Sequence, residues 1–109
     1  MLTLAAELER APVLKVSVRF FATLRAKVGK KTESLEFPDL EDVTFEKVLG
    51  RLVGLYGKDF EEYVFDRNAD VQGYLTLLVN GRSIETLDGL KTKLIDGDVL
   101  AILPPVGGG

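Results

Sequence analysis

Residues 98–104 read DVLAILP, an unbroken apolar run between an aspartate and a proline. A run without polar alternation predicts a β-strand that is buried on both faces. Proline ends the strand, because it has no N–H for the sheet ladder. The run LKVSVRFF, which begins at Leu14, is rich in β-branched and aromatic residues and predicts a second internal strand. Both strands are apolar enough to be parallel neighbours at the centre of one sheet.

One long helix is predicted between these strands. In TFEKVLGRLVGLYG, residues 44–57, apolar residues recur at helical spacing. Thr44 is the expected N-cap and Gly57 the expected C-terminal cap. Gly50 and Gly54 each cost about 1 kcal/mol relative to alanine in a helix. A neighbour packed closely against these two glycines would explain their presence.

Shorter patterns complete the fold. The segment ATLRAKVGKK predicts a helical turn or loop, TESLEF a strand that Pro38 stops, and LLVNG a hairpin with an Asn-Gly turn. The resulting order is strand, strand, helix, strand, short strand, strand. It predicts an α+β fold of the β-grasp type, a mixed sheet of four or five strands with one main helix packed on it.

The domain boundaries follow from this pattern. We expect the β-grasp domain to span residues 14–103 and an extended glycine tail to span residues 104–109. Residues 1–13 are expected to be a flexible extension, or the product of a start codon assigned too early. The acidic residues of this segment do not fit a secretory leader, and a cytoplasmic location is expected.

The composition excludes several classes of function. The 109 residues include no cysteine and no histidine, so thiol and imidazole catalysis, disulfides and cysteine- or histidine-based zinc sites are ruled out. No metal site is predicted. The formal charge of -3 gives no electrostatic reason to expect nucleic acid or an anionic membrane as a partner.

Two apparent motifs do not support an enzymatic site. The glycines of GRLVGLYGKD lie within the predicted helix, and Asp59 stands where a P-loop needs serine or threonine. The acidic pairs at residues 41–42 and 61–62 are adjacent in sequence, so their side chains point apart. A solvated surface explains them.

The only local concentration of basic residues lies between Arg25 and Lys31. It has two interpretations: a solvated loop between two strands, or a surface that docks an acidic partner. Exposed apolar residues of the sheet would complete such a docking surface. The sequence does not identify which apolar residues are exposed.

The tail PPVGGG is the most informative segment for function. Its two prolines direct the chain stiffly away from the sheet, and glycines without β-carbons make a thin thread. Six extended residues reach about 20 Å, enough to carry the terminal carboxylate into a narrow channel of another protein. The alternatives are an inert flexible end or a remnant of cloning.

Three segments together resemble the ubiquitin-like sulfur carriers of the MoaD/ThiS type, among them the small subunit of molybdopterin synthase. They are VRFFATLRAKVG, LLVNG and LIDGDVLAILPPVGGG. The resemblance covers residues 14–109. The chain differs from short family members in its leader, in a longer region at residues 56–72 and in a third glycine at Gly107. The longer region is similar to that of archaeal carriers that are also attached to lysines.

The resemblance implies a non-catalytic carrier that works on its own C-terminus. An activating enzyme would use ATP to adenylate the carboxylate of Gly109, next to Gly108, and a sulfur donor would convert the adenylate to a thiocarboxylate. The loaded tail would then enter the large subunit of molybdopterin synthase. No bound cofactor is expected, since ATP belongs to the activating enzyme. We expect partner contacts from seven residues: Phe20, Phe21, Arg25, Pro104, Pro105, Val106 and Gly107.

Three other functions remain open from the sequence. The same activated tail could join Gly109 to lysines of other proteins, or supply sulfur for transfer RNA thiolation. Alternatively, the chain is a plain β-grasp interaction module whose tail has no chemical role.

Overall fold

The computed structural model describes residues 13–38 and 42–105. These residues form five strands and three α-helices, with two short 3-10 helices between the fourth and fifth strands. The elements are β1 (Val13–Phe20), α1 (Ala22–Val28), β2 (Thr32–Pro38), α2 (Phe45–Tyr56), α3 (Lys58–Val64), β3 (Thr76–Val79), β4 (Arg82–Ser83) and β5 (Val99–Leu103), with 3-10 helices at Ile84–Thr86 and Gly89–Lys91.

The strands form one mixed sheet in the order β2-β1-β5-β3-β4. Strands β1 and β5 are parallel neighbours at its centre, as predicted, and the other pairs are antiparallel. The predicted β-grasp architecture is confirmed. The domain begins one residue earlier than predicted, because Val13 is already the first residue of β1. Residues 1–12, the rest of the predicted extension, lie outside the described residues.

The helices cover one face of the sheet and enclose a single hydrophobic core with it. Helix α2 directs Phe45, Val48, Leu49 and Leu52 into this core, and Thr44 caps it by accepting the Lys47 N–H. The sequence predicted one main helix. The structure adds two helices of seven residues each, α1 where a helical turn or loop was expected, and α3.

A polar contact joins helix α2 to strand β2. The Tyr56 hydroxyl donates a hydrogen bond to the Glu33 carboxylate, which also accepts one from Lys30 Nζ at 3.1 Å. Burial and this carboxylate raise the pKa of Tyr56 to about 12. The same hydrogen bond is the main reason that the pKa of Glu33 lies below its usual value. The Tyr56 ring packs edge-on against Phe20, which links the polar contact to the core.

The Asn80-Gly81 turn and the start of β5 hold each other in place. Both turn residues have positive φ, 51° and 83°, as a tight two-residue hairpin requires. The buried carboxylate of Asp98 accepts from the Asn80 side chain at 2.8 Å and from the Ile95 N–H at 2.9 Å. The Asn80 side-chain oxygen Oδ1 accepts the Val99 N–H at 2.9 Å. This network fixes the position from which the last strand starts.

Two expectations about packing are wrong. Strand β5 is buried on one face only: Leu100 and Ile102 point into the core, whereas Val99 on the opposite face is 39% exposed. No second layer of the described chain covers that face. Gly50 and Gly54 have no close neighbour either, since a β-carbon built on each meets nothing within 4 Å.

Candidate functional site

An apolar patch lies on the outer face of the sheet, the face that the helices leave open. Val99, Ala101 and Leu103 of β5 alternate with the buried residues of that strand. Leu78 of β3 pairs with Ala101 in the antiparallel register and is partly buried. On the other side, Arg19 of β1 pairs with Ala101 in the parallel register and is exposed. An apolar strip bordered by a cation fits a protein-binding surface.

Phe21 extends this patch at the end of β1. Residue alternation places it on the face opposite the buried Phe20, and its side chain is partly exposed. Two guanidinium groups approach its ring, Arg19 at 5.6 Å and Arg25 at 5.9 Å from the ring centroid. Arg25 Nε also donates to the Phe20 carbonyl at 3.3 Å, which holds this arginine near the ring. An aromatic ring with two cations offers an acidic partner both apolar contact and charge.

The patch lies beside the point where the tail leaves the sheet. Because β1 and β5 are parallel, Phe21 and Leu103 lie at the same end of the sheet. Pro104 and Pro105 follow Leu103 outside the strand and are partly buried. A partner that binds the patch is therefore positioned to receive the residues that follow. Val106, Gly107, Gly108 and Gly109 lie outside the described residues.

Phe20 lies in the core, so the prediction that it contacts partners is wrong. It was predicted to contact partners, but it is 1% exposed and packs against Tyr56 and Phe60 in the core. Its side chain is thus unavailable to a partner in the folded protein. Phe21, Arg25, Pro104 and Pro105 have exposed or partly exposed side chains, and a contact role for each is still a prediction.

Sequence reasoning missed the β5 side of the patch. Val99, Ala101 and Leu103 were assigned to a buried strand, because an apolar run has the same pattern whether another layer or a partner covers its second face. Arg19 was also missed, although its odd-numbered position in β1 places it opposite the core residues. The alternation along β1 would have been sufficient to place Arg19 on the outer face.

Two kinds of feature are absent from the described residues. No group of three or more acidic side chains that could hold a metal ion occurs within residues 13–38 and 42–105. In the same residues, no helix has the length and apolar character to cross a membrane.

A family model and curated relatives match most of the chain. Residues 18–109 match the model of the ThiS family. Small archaeal modifier protein 3 of Haloferax volcanii is 37% identical over 100 residues, which cover 88% of this chain and 100% of that protein. A proposed sulfur carrier protein of Archaeoglobus fulgidus is 32% identical over 71 residues, 65% of this chain and 80% of that protein.

Solved structures share the fold. The solution structure of small archaeal modifier protein 1 from Methanosarcina acetivorans has a TM-score of 0.73 and 31% identity, and the match covers 91% of this chain and all of that one. A proposed molybdopterin converting factor, subunit 1, from Pyrococcus furiosus has a TM-score of 0.67 and 29% identity, with 85% of this chain and 99% of that chain covered.

Proposed function

The chain belongs to the ThiS family of ubiquitin-like sulfur carriers and protein modifiers, and we propose that it carries sulfur as a thiocarboxylate on Gly109. In this proposal an activating enzyme adenylates the Gly109 carboxylate with ATP and releases pyrophosphate. A sulfur donor then displaces AMP and leaves the thiocarboxylate. The protein itself is not the catalyst, because a carboxylate is a poor acyl donor until it is activated and this chain has no cysteine or histidine nucleophile.

One observation carries the proposal: the tail leaves the sheet beside an exposed apolar patch with two arginines. A carrier needs both a surface that an enzyme can bind and a terminus within reach of the bound enzyme. The patch supplies the first requirement. The five residues after Pro104, PVGGG, supply the second when extended, since they span about 17 Å.

We propose the large subunit of molybdopterin synthase as the partner that consumes the thiocarboxylate, and molybdenum cofactor synthesis as the process served. The likeness to the Pyrococcus furiosus molybdopterin converting factor, subunit 1, supports this choice. The Pro-Pro-Val-Gly ending of the tail supports it as well.

Attachment of Gly109 to lysines of other proteins is the second candidate. It is favoured by the match to a small archaeal modifier protein over that protein's full length. Both functions use the same activated tail, so they differ only in the acceptor. Recovery of this chain with a molybdopterin synthase large subunit supports the first function, and recovery on protein lysines supports the second.

The test of the carrier function is an intact-mass measurement. The full chain is incubated with its cognate activating enzyme, ATP and a sulfide source. The proposal predicts first an adenylate and then a replacement of one terminal oxygen by sulfur. An unchanged mass with an activating enzyme that is active on another carrier would refute it.

A further inference from the structure

The edge strand β2 leaves main-chain groups free for pairing. It lies at one end of the sheet, and β1 is its only partner strand among the described residues. The Phe20 N–H donates to the Lys31 carbonyl at 2.8 Å, which sets the direction of every group in the pair. Residues 31, 33, 35 and 37 face β1. The N–H and C=O groups of Thr32, Ser34 and Glu36 therefore point away from the sheet.

Helix α2 forms one wall beside this edge. Arg51 of α2 donates from Nη1 to the Glu36 carbonyl at 3.3 Å, and its guanidinium lies 4.3 Å from the centroid of the Phe37 ring. Leu55 lies one helical turn after Arg51 on the same flank of the helix. Its side chain is 54% exposed although it is large and apolar. The wall thus offers an apolar contact next to the free main-chain groups.

The charge around the start of β2 is strongly positive. Residues 19–31 contain five basic residues and no acidic one. Lys15 lies opposite the end of β2 and is paired with Glu36. Lys27, Lys30 and Lys31 directly precede the strand. Lys30 is paired with Glu33, which also accepts the Tyr56 hydrogen bond, so that carboxylate is already occupied. Lys27 and Lys31 form no ion pair with any other described residue.

We propose that residues 32–36 bind an extended, acidic segment of a partner protein as an added strand of the sheet. The free groups of Thr32 and Ser34 pair with the main chain of that segment. Its acidic side chains lie near Lys27 and Lys31, and an apolar side chain contacts Leu55. Charged side chains beside an exposed strand edge commonly serve only to prevent unwanted pairing with other chains. The exposed Leu55 distinguishes this edge from one that is only protected against pairing, because protection by charge requires no exposed apolar side chain.

This site goes beyond the carrier function. Strand β1 separates β2 from β5, so the edge is on the opposite side of β1 from the strand that leads to the tail. A partner on β2 leaves the outer patch and the tail free. The protein then has one surface for the enzymes that act on its terminus and a second one for a protein that recognises the folded domain.

The test uses a displayed library of random octapeptides selected against the full chain. The proposal predicts selected peptides with several acidic residues and alternating apolar ones. In NMR spectra of the full chain, these peptides shift the amides of Thr32, Ser34 and Glu36 and slow their hydrogen exchange. Methylation of one central peptide N–H removes a main-chain hydrogen bond and weakens binding about fivefold.

Matched variants locate the contact. Lys31→Glu and Leu55→Ser each weaken binding of the selected peptides several-fold, and added salt weakens it further. Arg82→Glu makes the same charge change at the opposite edge of the sheet and leaves binding unchanged. The proposal is overturned if the library yields no binder, if the peptides leave the amides of residues 32–36 unshifted, or if Arg82→Glu weakens binding as much as Lys31→Glu.

Discussion

The hydrogen bond between Tyr56 and Glu33 is the residue-scale contact with the clearest energetic signature. Its removal in Tyr56→Phe should destabilise the protein by about 1–3 kcal/mol near neutral pH, because the acceptor is a charged carboxylate. The lowered pKa of Glu33 gives stability that is present above its unfolded value and lost as the pH falls through its folded value. The cost of Tyr56→Phe should therefore shrink in acid.

Urea denaturation at neutral and at acidic pH measures this difference. Tyr74→Phe is the control. Because the Tyr74 side chain is half exposed, this substitution should change the free energy of unfolding by less than about 0.5 kcal/mol. A cost for Tyr56→Phe that is the same at both pH values would contradict the assignment.

The raised pKa of Tyr56 gives a second residue-scale prediction. One tyrosine should ionise at about pH 12, well above the ordinary value near 10. The stability from the protonated phenol is present below the ordinary value and is lost as the pH rises through about 12. Tyrosinate absorbance during a base titration reports this step, and it should be missing in Tyr56→Phe. Its persistence in that variant would assign it to another tyrosine.

Phe20 and Phe21 show what the sequence resolves at this scale. Alternation placed Phe20 on one face with Val16 and Val18, and all three are buried. The sequence did not say which face the helices cover, so both phenylalanines were predicted to meet a partner. The position of the helices decides which of the two rings is buried, and this position is known only from the structure.

At the scale of elements, the glycines of helix α2 differ in what they contribute. Gly50 and Gly54 are exposed and have open space around them, so replacement by alanine should stabilise the protein by about 0.5–1 kcal/mol each. Gly57 has a φ of 80° and a ψ of -154°, which alanine adopts only with strain. Gly57→Ala should therefore destabilise by about 1–3 kcal/mol. Thermal unfolding of the three variants checks both signs, and a destabilising Gly54→Ala would reveal a contact that the structure lacks.

Strand β5 shows the limit of prediction for elements. DVLAILP predicts a central strand that ends before Pro104, and its apolar character together with that of LKVSVRFF predicts parallel pairing with β1. The structure confirms both. The exposure of its outer face cannot be predicted from the same run. An apolar residue indicates that its side chain is covered, but not whether the chain itself or a partner covers it. A different limit explains why α1 and α3 were not predicted as helices: each has only seven residues, too few for a repeating pattern to separate a helix from a turn.

At the scale of the whole molecule, the two layers should respond differently to the same substitution. Val99→Glu places a charge on the outer patch, and Leu55→Glu places one on an exposed apolar residue of the helix layer. Both should fold, because neither side chain belongs to the core. Val99→Glu should slow thiocarboxylate formation at least tenfold, whereas Leu55→Glu should leave it unchanged. Equal rates for the two variants would show that the activating enzyme does not bind the outer patch.

The most direct test of the central claim compares the full chain with two tail variants, one lacking Gly109 and one extended by a single residue. Each is incubated with the activating enzyme, ATP and a sulfide source, and its mass and melting temperature are recorded. A thiocarboxylate is expected on the full chain alone, with the same melting temperature for all three proteins, since neither change touches the core. A thiocarboxylate on the extended variant would contradict the central claim.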